Sequence, residues 1–261
     1  MKKIIDLNYL RTPDLDAYLA SGNLGVLCEF HFMEMSKGAS IANVRASLLK
    51  VARFPEQFLV CKSAEDIIQL TGQGLLENQD DLIDTNATRN IGSFCQHILS
   101  PDIEGGKDSV FDKLTSEAKA FFLQNRLGAQ QVAAYVKLAL DRKLTDLEKK
   151  KLRNTQTIDP IHYMWMRDEA SLLSDRMLTA KGYKIQSIKD CLAYRYILSG
   201  YALCMYWISM GGLDSLPIDS LVNDITDMMY VAVASYFDGI LTHEKKVLWA
   251  YQHLMQLIGL K

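Results

Sequence analysis

Strand-length apolar runs lie near the two ends of this chain, and the stretch between them, residues 75–190, reads almost wholly as helix. Near the amino end, Gly22 and Asn23 mark a turn, and residues 24–28 form an apolar run of strand length. "SIANVRASLLKVARF" then places Ile41, Val44, Leu48 and Val51 at helical spacing, until Pro55 ends the pattern. "EQFLVCK" reads as a second strand. "SAEDIIQLTGQ" reads as a helix capped by Ser63, with Asp66 three residues on, close to a capping box. At the other end, "PIDSLVNDITDMMYVAVASY" predicts a helix with Pro217 near its start, "FDGILT" a strand, and "EKKVLWAYQHLMQLIGL" a closing helix. Strands near both ends with helices between them predict an α/β fold whose short parallel sheet is completed by chain distant in sequence.

The expected organisation is a core formed by residues 1–75 and 190–261, with residues 76–189 as a helical insertion packed on it. "SEAKAFFLQNRLGAQQVAAYVKLALDRKL" is rich in good helix formers, and "TDLEKKKLRN" is a charged helix with a threonine cap. "SPDIEGGKDS" is the obvious loop, and no internal repeat is present.

Composition narrows the function. Of 261 residues, 49% are hydrophobic, which is ample for a core. Lys and Arg number 29 against 31 Asp and Glu, so no global basic field marks a polyanion binder, and a nucleic-acid surface would have to be a local patch. The five cysteines are scattered with no CxxC, which predicts reduced, buried thiols rather than a disulfide framework or a zinc site. The amino end meets a proline and several acids before any long apolar run, unlike a signal peptide. The longest charge-free run, residues 196–213, carries Ser, Gly and Tyr and is bracketed by Asp190 and Arg195 before it and Asp214 after it. It reads as a buried helix rather than a membrane span. A cytoplasmic location without a membrane partner is the expectation.

In open parallel sheets, sites form beyond the carboxyl ends of the strands. The two expected strands nearest the chain ends are both followed by acids: Glu29 after the first, with Glu34 about a helical turn on, and Glu244 after the last. Asp224 and Asp227 open the preceding apolar helix, and Asp238 lies on the last strand. Carboxylates brought within a few ångströms of one another repel unless a cation sits among them. Mg²⁺ and Mn²⁺ prefer oxygen ligands, and a divalent ion so held can activate water for phosphodiester hydrolysis.

"NDITDMMYVAVASYFDGILTHEKK" resembles the carboxy-terminal signature of PIN-domain nucleases, in which an acid opens a helix of small apolar residues, a strand follows, and a Thr-x-acid step leads into the last helix. "VLCEFHFMEMSKG" is similar to the first strand of such a domain, which ends in an acid. The resemblance covers roughly the first 70 and last 50 residues and leaves the helical middle unmatched. It implies a three-layer PIN-like fold and a metal-dependent hydrolase, an endoribonuclease acting on RNA, single-stranded RNA included, with Mg²⁺ or Mn²⁺ as cofactor. Carried over, Glu29 stands at the first-strand acid, Asp224 at the helix-opening acid with Asp227 one turn on, and Glu244 at the acid of the Thr-x-acid step. Those four form the implied metal set, and Glu34 takes the remaining helical glutamate, sooner after the strand than is usual. Two family aspartates are glutamates here, one methylene longer, a change that a flexible Mn²⁺ site tolerates more easily than octahedral Mg²⁺. The alternative is a catalytically degenerate PIN-like module that binds RNA or a protein partner. A regulatory protein partner and a homo-oligomer are both compatible with the family analogy.

Plainer readings stand beside these. Asp224 and Asp227 are also what a helix dipole favours in a first turn, with Ser220 or Asn223 as cap. Glu244 can serve as an N-terminal helix acid opposite Thr242, and Asp238 as a turn acid. "LIDTN" (residues 82–86) mimics a first-strand motif but has no strand before it, so it reads as helix or loop. His31, His97, His162, His243 and His253 show no zinc spacing. Asp168 and Glu169 are reserve candidates for the helical acid. "KKKLR" and "KGYKIQSIK" are basic stretches that could meet RNA phosphates, though charge runs on helices are usually solvated faces. No Walker-type loop or G-x-S-x-G elbow is present.

Overall fold

The structure, a computed structural model, describes residues 1–103, 108–211 and 218–259; for residues 127–137, 218 and 219 only the backbone is described. Pro217, Asp214 and residues 104–107 of the expected loop lie outside the described residues. The chain divides into two compact units. The first comprises Met1–Asp66, Leu76–Gln124 and Tyr236–His243; the second comprises Ile67–Leu75, Asn125–Ser235 and Glu244–Lys261. Residues 76–189, expected as one insertion, thus contribute to both.

The first unit holds a four-stranded sheet in which every neighbouring pair is parallel, in the order β3-β2-β1-β4. Its strands are β1 (Lys2–Ile5), β2 (Leu24–Leu27), β3 (Phe58–Val60) and β4 (Ile240–Leu241). Ile4 lies opposite both Val26 and Ile240, and Val26 opposite Leu59. Strands covered on both faces read as continuous apolar runs, and Ile4, Ile5, Val26, Leu27 and Phe58 are all fully buried. The fold is therefore mixed α/β, with chain from both ends in one parallel sheet.

β2, β3 and β4 fall where strands are expected. β1 does not: its two isoleucines follow two lysines, too short a run to carry a periodic signal. It is a strand because β2 and β4 hydrogen-bond to it from both sides.

Around the sheet, the first unit contains α1 (Leu7–Leu10), α2 (Pro13–Ala20), α3 (Glu29–Ser36), α4 (Ile41–Arg53) and α6 (Thr85–Leu99), with the beginning of α5 (Ala64–Gly72) and of α7 (Ser109–Lys143). The 3.6-residue spacing in α4 does what it should, burying Val44, Leu48 and Val51 beside Leu27, Phe58 and Ile98 in one core. Asp84 of the "DTN" mimic is the N-cap of α6, accepting from Asn86 N at 2.9 Å and Ala87 N at 2.8 Å. The residue before it, Ile83, makes only an isolated antiparallel bridge with Cys61 and belongs to none of the four strands.

The second unit is helical: α8 (Asp146–Thr155), α9 (Ile161–Ala180), α10 (Leu192–Ser209), α11 (Ile218–Ala234) and α12 (Lys245–Leu257), with the remainders of α5 and α7. Thr145 caps α8 with a complete capping box to Glu148. Residues 196–209 of the charge-free run lie in α10, which packs against α8, α9, α11 and α12 and buries fourteen residues. Among the described residues, no helix is long and apolar enough to cross a membrane. All five cysteines are buried and free.

Candidate functional site

α11 opens at Ile218, so Asp224 and Asp227 stand inside the helix rather than at its mouth. A first-turn preference for acids therefore does not account for them. Three residues apart on a helix, they share a face. Asp224 is 5% exposed and Asp227 7%, which for aspartates demands partners.

The partner comes from the start of α12. Lys246 brings its ammonium to 2.5 Å from Asp224 Oδ1, 2.8 Å from Asp227 Oδ2 and 3.1 Å from Glu244 Oε2. Glu244 is the N-cap residue of α12, but its side chain makes no capping bond; it turns to Lys246. Trp207 of α10 donates from Nε1 to Asp224 Oδ2 at 2.9 Å, fixing that carboxylate on its far side. Burial works against the charge of Lys246, but the carboxylates of Asp227 and Asp224 outweigh it and hold the ammonium charged well above the ordinary lysine range.

Three carboxylates and one ammonium leave the cluster with a surplus of two negative charges. Its donor set, three hard carboxylates, suits Mg²⁺ or Mn²⁺ by chemistry. In its present arrangement it surrounds an ammonium, and among the described residues no group of three or more His, Cys, Asp or Glu is placed to hold a metal ion.

The other expected acids belong to the sheet-bearing unit. Glu29 is the first residue of α3, just beyond β2, and its Oε1 accepts from Ala64 N, the first residue of α5, at 3.0 Å. Burial raises its pKa, against the pull of the Ala64 hydrogen bond and with help from Asp66 and Glu65. Glu34 is half-buried further along α3. Asp238 accepts from Lys2 N at 2.6 Å and from Gln79 Nε2 at 3.2 Å, so it anchors the start of β1 as a turn acid does. His243 is exposed, 3.2 Å from Asp14 and against the ring of Tyr9. In the helical unit, Glu169 pairs with Lys143 at 3.2 Å, and Asp168 is exposed on α9. "KKKLR" is engaged internally: Lys149 with Asp141, Lys151 with Asp159, and Arg153 with the carbonyl of Ile208.

One acid escapes the sequence reading. Asp6 follows β1 at the carboxyl edge of the sheet, is 5% exposed, and accepts from Thr242 Oγ1 at 2.6 Å. Its other oxygen accepts from Asn8 N at 3.4 Å, capping α1. The signal available was "IID", apolar residues ending in an acid, the same form as "VLCE" but shorter. Asp6 joins Thr242 of the Thr-x-acid step to the end of the neighbouring strand.

Comparison with protein-family models, with curated proteins and with solved structures finds no match to this chain.

Proposed function

We propose that this chain is a PIN-like, metal-dependent nuclease that hydrolyses phosphodiester bonds in RNA. The observation that carries the reading is the convergence of Asp224, Asp227 and Glu244 on one cation, with two negative charges to spare. Those three residues would hold Mg²⁺ or Mn²⁺, and the chemistry such an ion supplies when bound is neutralisation of phosphate charge and activation of water. The residues of the chain do the rest. Trp207 fixes the direction of Asp224, and Lys246 keeps the carboxylates gathered and brings a cation of its own to an anionic substrate. Glu29 and Glu34 enter this reading on the resemblance alone.

A second reading is favoured by the same ammonium. If Lys246 is a permanent occupant, the site is degenerate and the chain is a PIN-like module that binds RNA or a protein partner. Cleavage of labelled single-stranded RNA in Mn²⁺, Mg²⁺ or EDTA, with Asp224→Asn alongside, separates the two when Mn²⁺ binding is measured by calorimetry on the same samples. Ion-dependent cleavage that Asp224→Asn abolishes while the variant stays folded is the nuclease outcome. Absence of both cleavage and Mn²⁺ binding would sink it in favour of the degenerate module.

A further inference from the structure

The helical unit contains a cavity of about 660 Å³. Its walls are the segment 186–190 that leads into α10, the first turn of α10, Arg167 of α9 and the end of α12. The size lies within the range of small-molecule sites and well beyond that of a simple anion.

The charge lining it is lopsided. Among the described residues that line it, Arg167, Lys189 and Arg195 stand with one carboxylate, Asp190, which accepts from Ser187 Oγ at 2.5 Å. Both guanidinium groups are anchored on neutral oxygens. Arg195, only 9% exposed, donates through Nη1 to the carbonyl and the hydroxyl of Ser235, at 3.0 Å each. Arg167 donates from Nε to Leu257 O at 2.6 Å and from Nη2 to Gln256 O at 3.1 Å. Those last bonds also engage carbonyls at the end of α12, which would otherwise repel an anion. A guanidinium carries five N–H donors, so Arg167 is fixed in place with donors still to offer. Cations held in position before a ligand arrives reduce the ordering cost of binding. The same lining includes Ile188 and Ile258, both half-buried, backed by the buried Tyr194 and Leu257, an apolar surface suited to a planar base.

We propose that this cavity binds a nucleotide, with its phosphate taken by Arg167, Lys189 and Arg195 and its base laid on the apolar wall. The shared chemistry admits two sources, a free mononucleotide or the 5′-phosphorylated end of an RNA. Lys189 closes the basic stretch "KGYKIQSIK", which thereby gains a role distinct from the carboxylate cluster.

The test is calorimetric titration of the full chain with AMP in EDTA, so that divalent ions at the carboxylate cluster contribute nothing. AMP should bind, adenosine should bind far more weakly, and Lys189→Glu should weaken AMP by at least about tenfold, the worth of one charge-assisted hydrogen bond. Lys189 is exposed, so this variant leaves the core intact. Arg167→Lys, which keeps the charge but loses the fork, should weaken AMP as well. Displacement of AMP by a 5′-phosphorylated RNA tetramer but not by its 5′-hydroxyl counterpart assigns the site to an RNA end; displacement by neither assigns it to a free nucleotide. Absence of AMP binding, equal affinity for adenosine, or indifference to both substitutions overturns the proposal. None of these outcomes depends on whether the chain cleaves RNA.

Discussion

The indole N–H of Trp207 donates to Asp224 Oδ2 at 2.9 Å while Lys246 holds Oδ1, so this aspartate is clamped at both oxygens by neighbouring helices. A hydrogen bond to a buried charge is among the stronger kinds. Trp207→Phe keeps most of the ring and removes only the donor, and it should cost about 2 kcal/mol of stability. Urea unfolding measures this directly, and an unchanged midpoint would show that the indole donor contributes nothing to the clamp.

Lys246 is the keystone of the same cluster. Lys246→Met leaves three carboxylates facing one another without their cation, and removing one partner of a buried ion cluster should cost about 3 kcal/mol. The informative measurement is thermal unfolding of this variant with and without millimolar Mn²⁺. Where the carboxylates can take a divalent ion in place of the ammonium, Mn²⁺ restores much of the loss, by binding the folded state alone. Equal melting temperatures with and without Mn²⁺ would speak for a cluster built only around lysine.

Two buried histidines make stability depend on pH. Burial lowers the pKa of His31 to about 4 and that of His253 to about 4, from an ordinary 6.5. His31 shows why: Nδ1 accepts from Cys28 N at 2.9 Å and Nε2 faces the carbonyl of Ile5, a pattern that only the neutral ring satisfies. A histidine whose folded pKa is depressed contributes stability that is complete above about 6.5 and is lost as pH falls toward about 4. Stability should therefore drop across that window, by about 1.4 kcal/mol per pH unit for each histidine where it is protonated only in the unfolded chain. His253→Gln should remove one such contribution. Urea midpoints at pH 7, 6 and 5 check the slope, and identical slopes for the variant and the parent would contradict the assignment.

Much of this was readable in the residues, for reasons that also explain what was not. β2 and β3 are runs of strand formers bounded by turn or breaker residues, and the caps of α5 and α8 are local signals that depend on three or four neighbouring positions. β1 was hidden because its strand character comes from neighbours 22 and 236 positions away, and Asp6 was hidden with it. In the cluster, the acids stood out because carboxylates at helical spacing on an apolar helix are unusual. Lys246 did not, because a lysine in "THEKK" looks like any solvated helix start. Trp207 gave no hint of its bond to Asp224, since tertiary contact alone creates it. Glu29 was conspicuous as an acid after a strand, but its acceptance from Ala64 N needs β2 and β3 already paired.

That bond gives Glu29 a structural duty separable from chemistry. Glu29→Ala removes the acceptor at the start of α5 and should cost about 1 kcal/mol, as for the loss of a helix cap. Glu29→Gln keeps an acceptor and sheds the cost of burying a charge. Because the folded pKa of Glu29 is raised, its contribution favours the fold at low pH and is lost as pH climbs above the ordinary 4.5. The Gln variant should thus match or exceed the parent in stability at pH 7, with the parent gaining relative to it as pH falls toward 4.5. A Gln variant as unstable as Ala would show that the carboxylate charge itself is required.

The sheet leaves one position where a methyl group is too much. Gly25 lies in β2 between β1 and β3, and a Cβ built there runs into Ile5 Cδ1 and comes within 3.1 Å of the ring of Phe58. Ile5 can turn its terminal methyl aside; the Phe58 ring, itself fully buried, has nowhere to go. Gly25→Ala should therefore destabilise the chain by about 1–3 kcal/mol through overpacking, although alanine is otherwise the better strand residue. Pairing the change with Ile5→Val, which removes the methyl in closest conflict, should recover part of that loss, whereas two independent sites would simply add their penalties. A double-mutant cycle in urea reads the coupling, and strict additivity would show that the clash is absorbed elsewhere in the core.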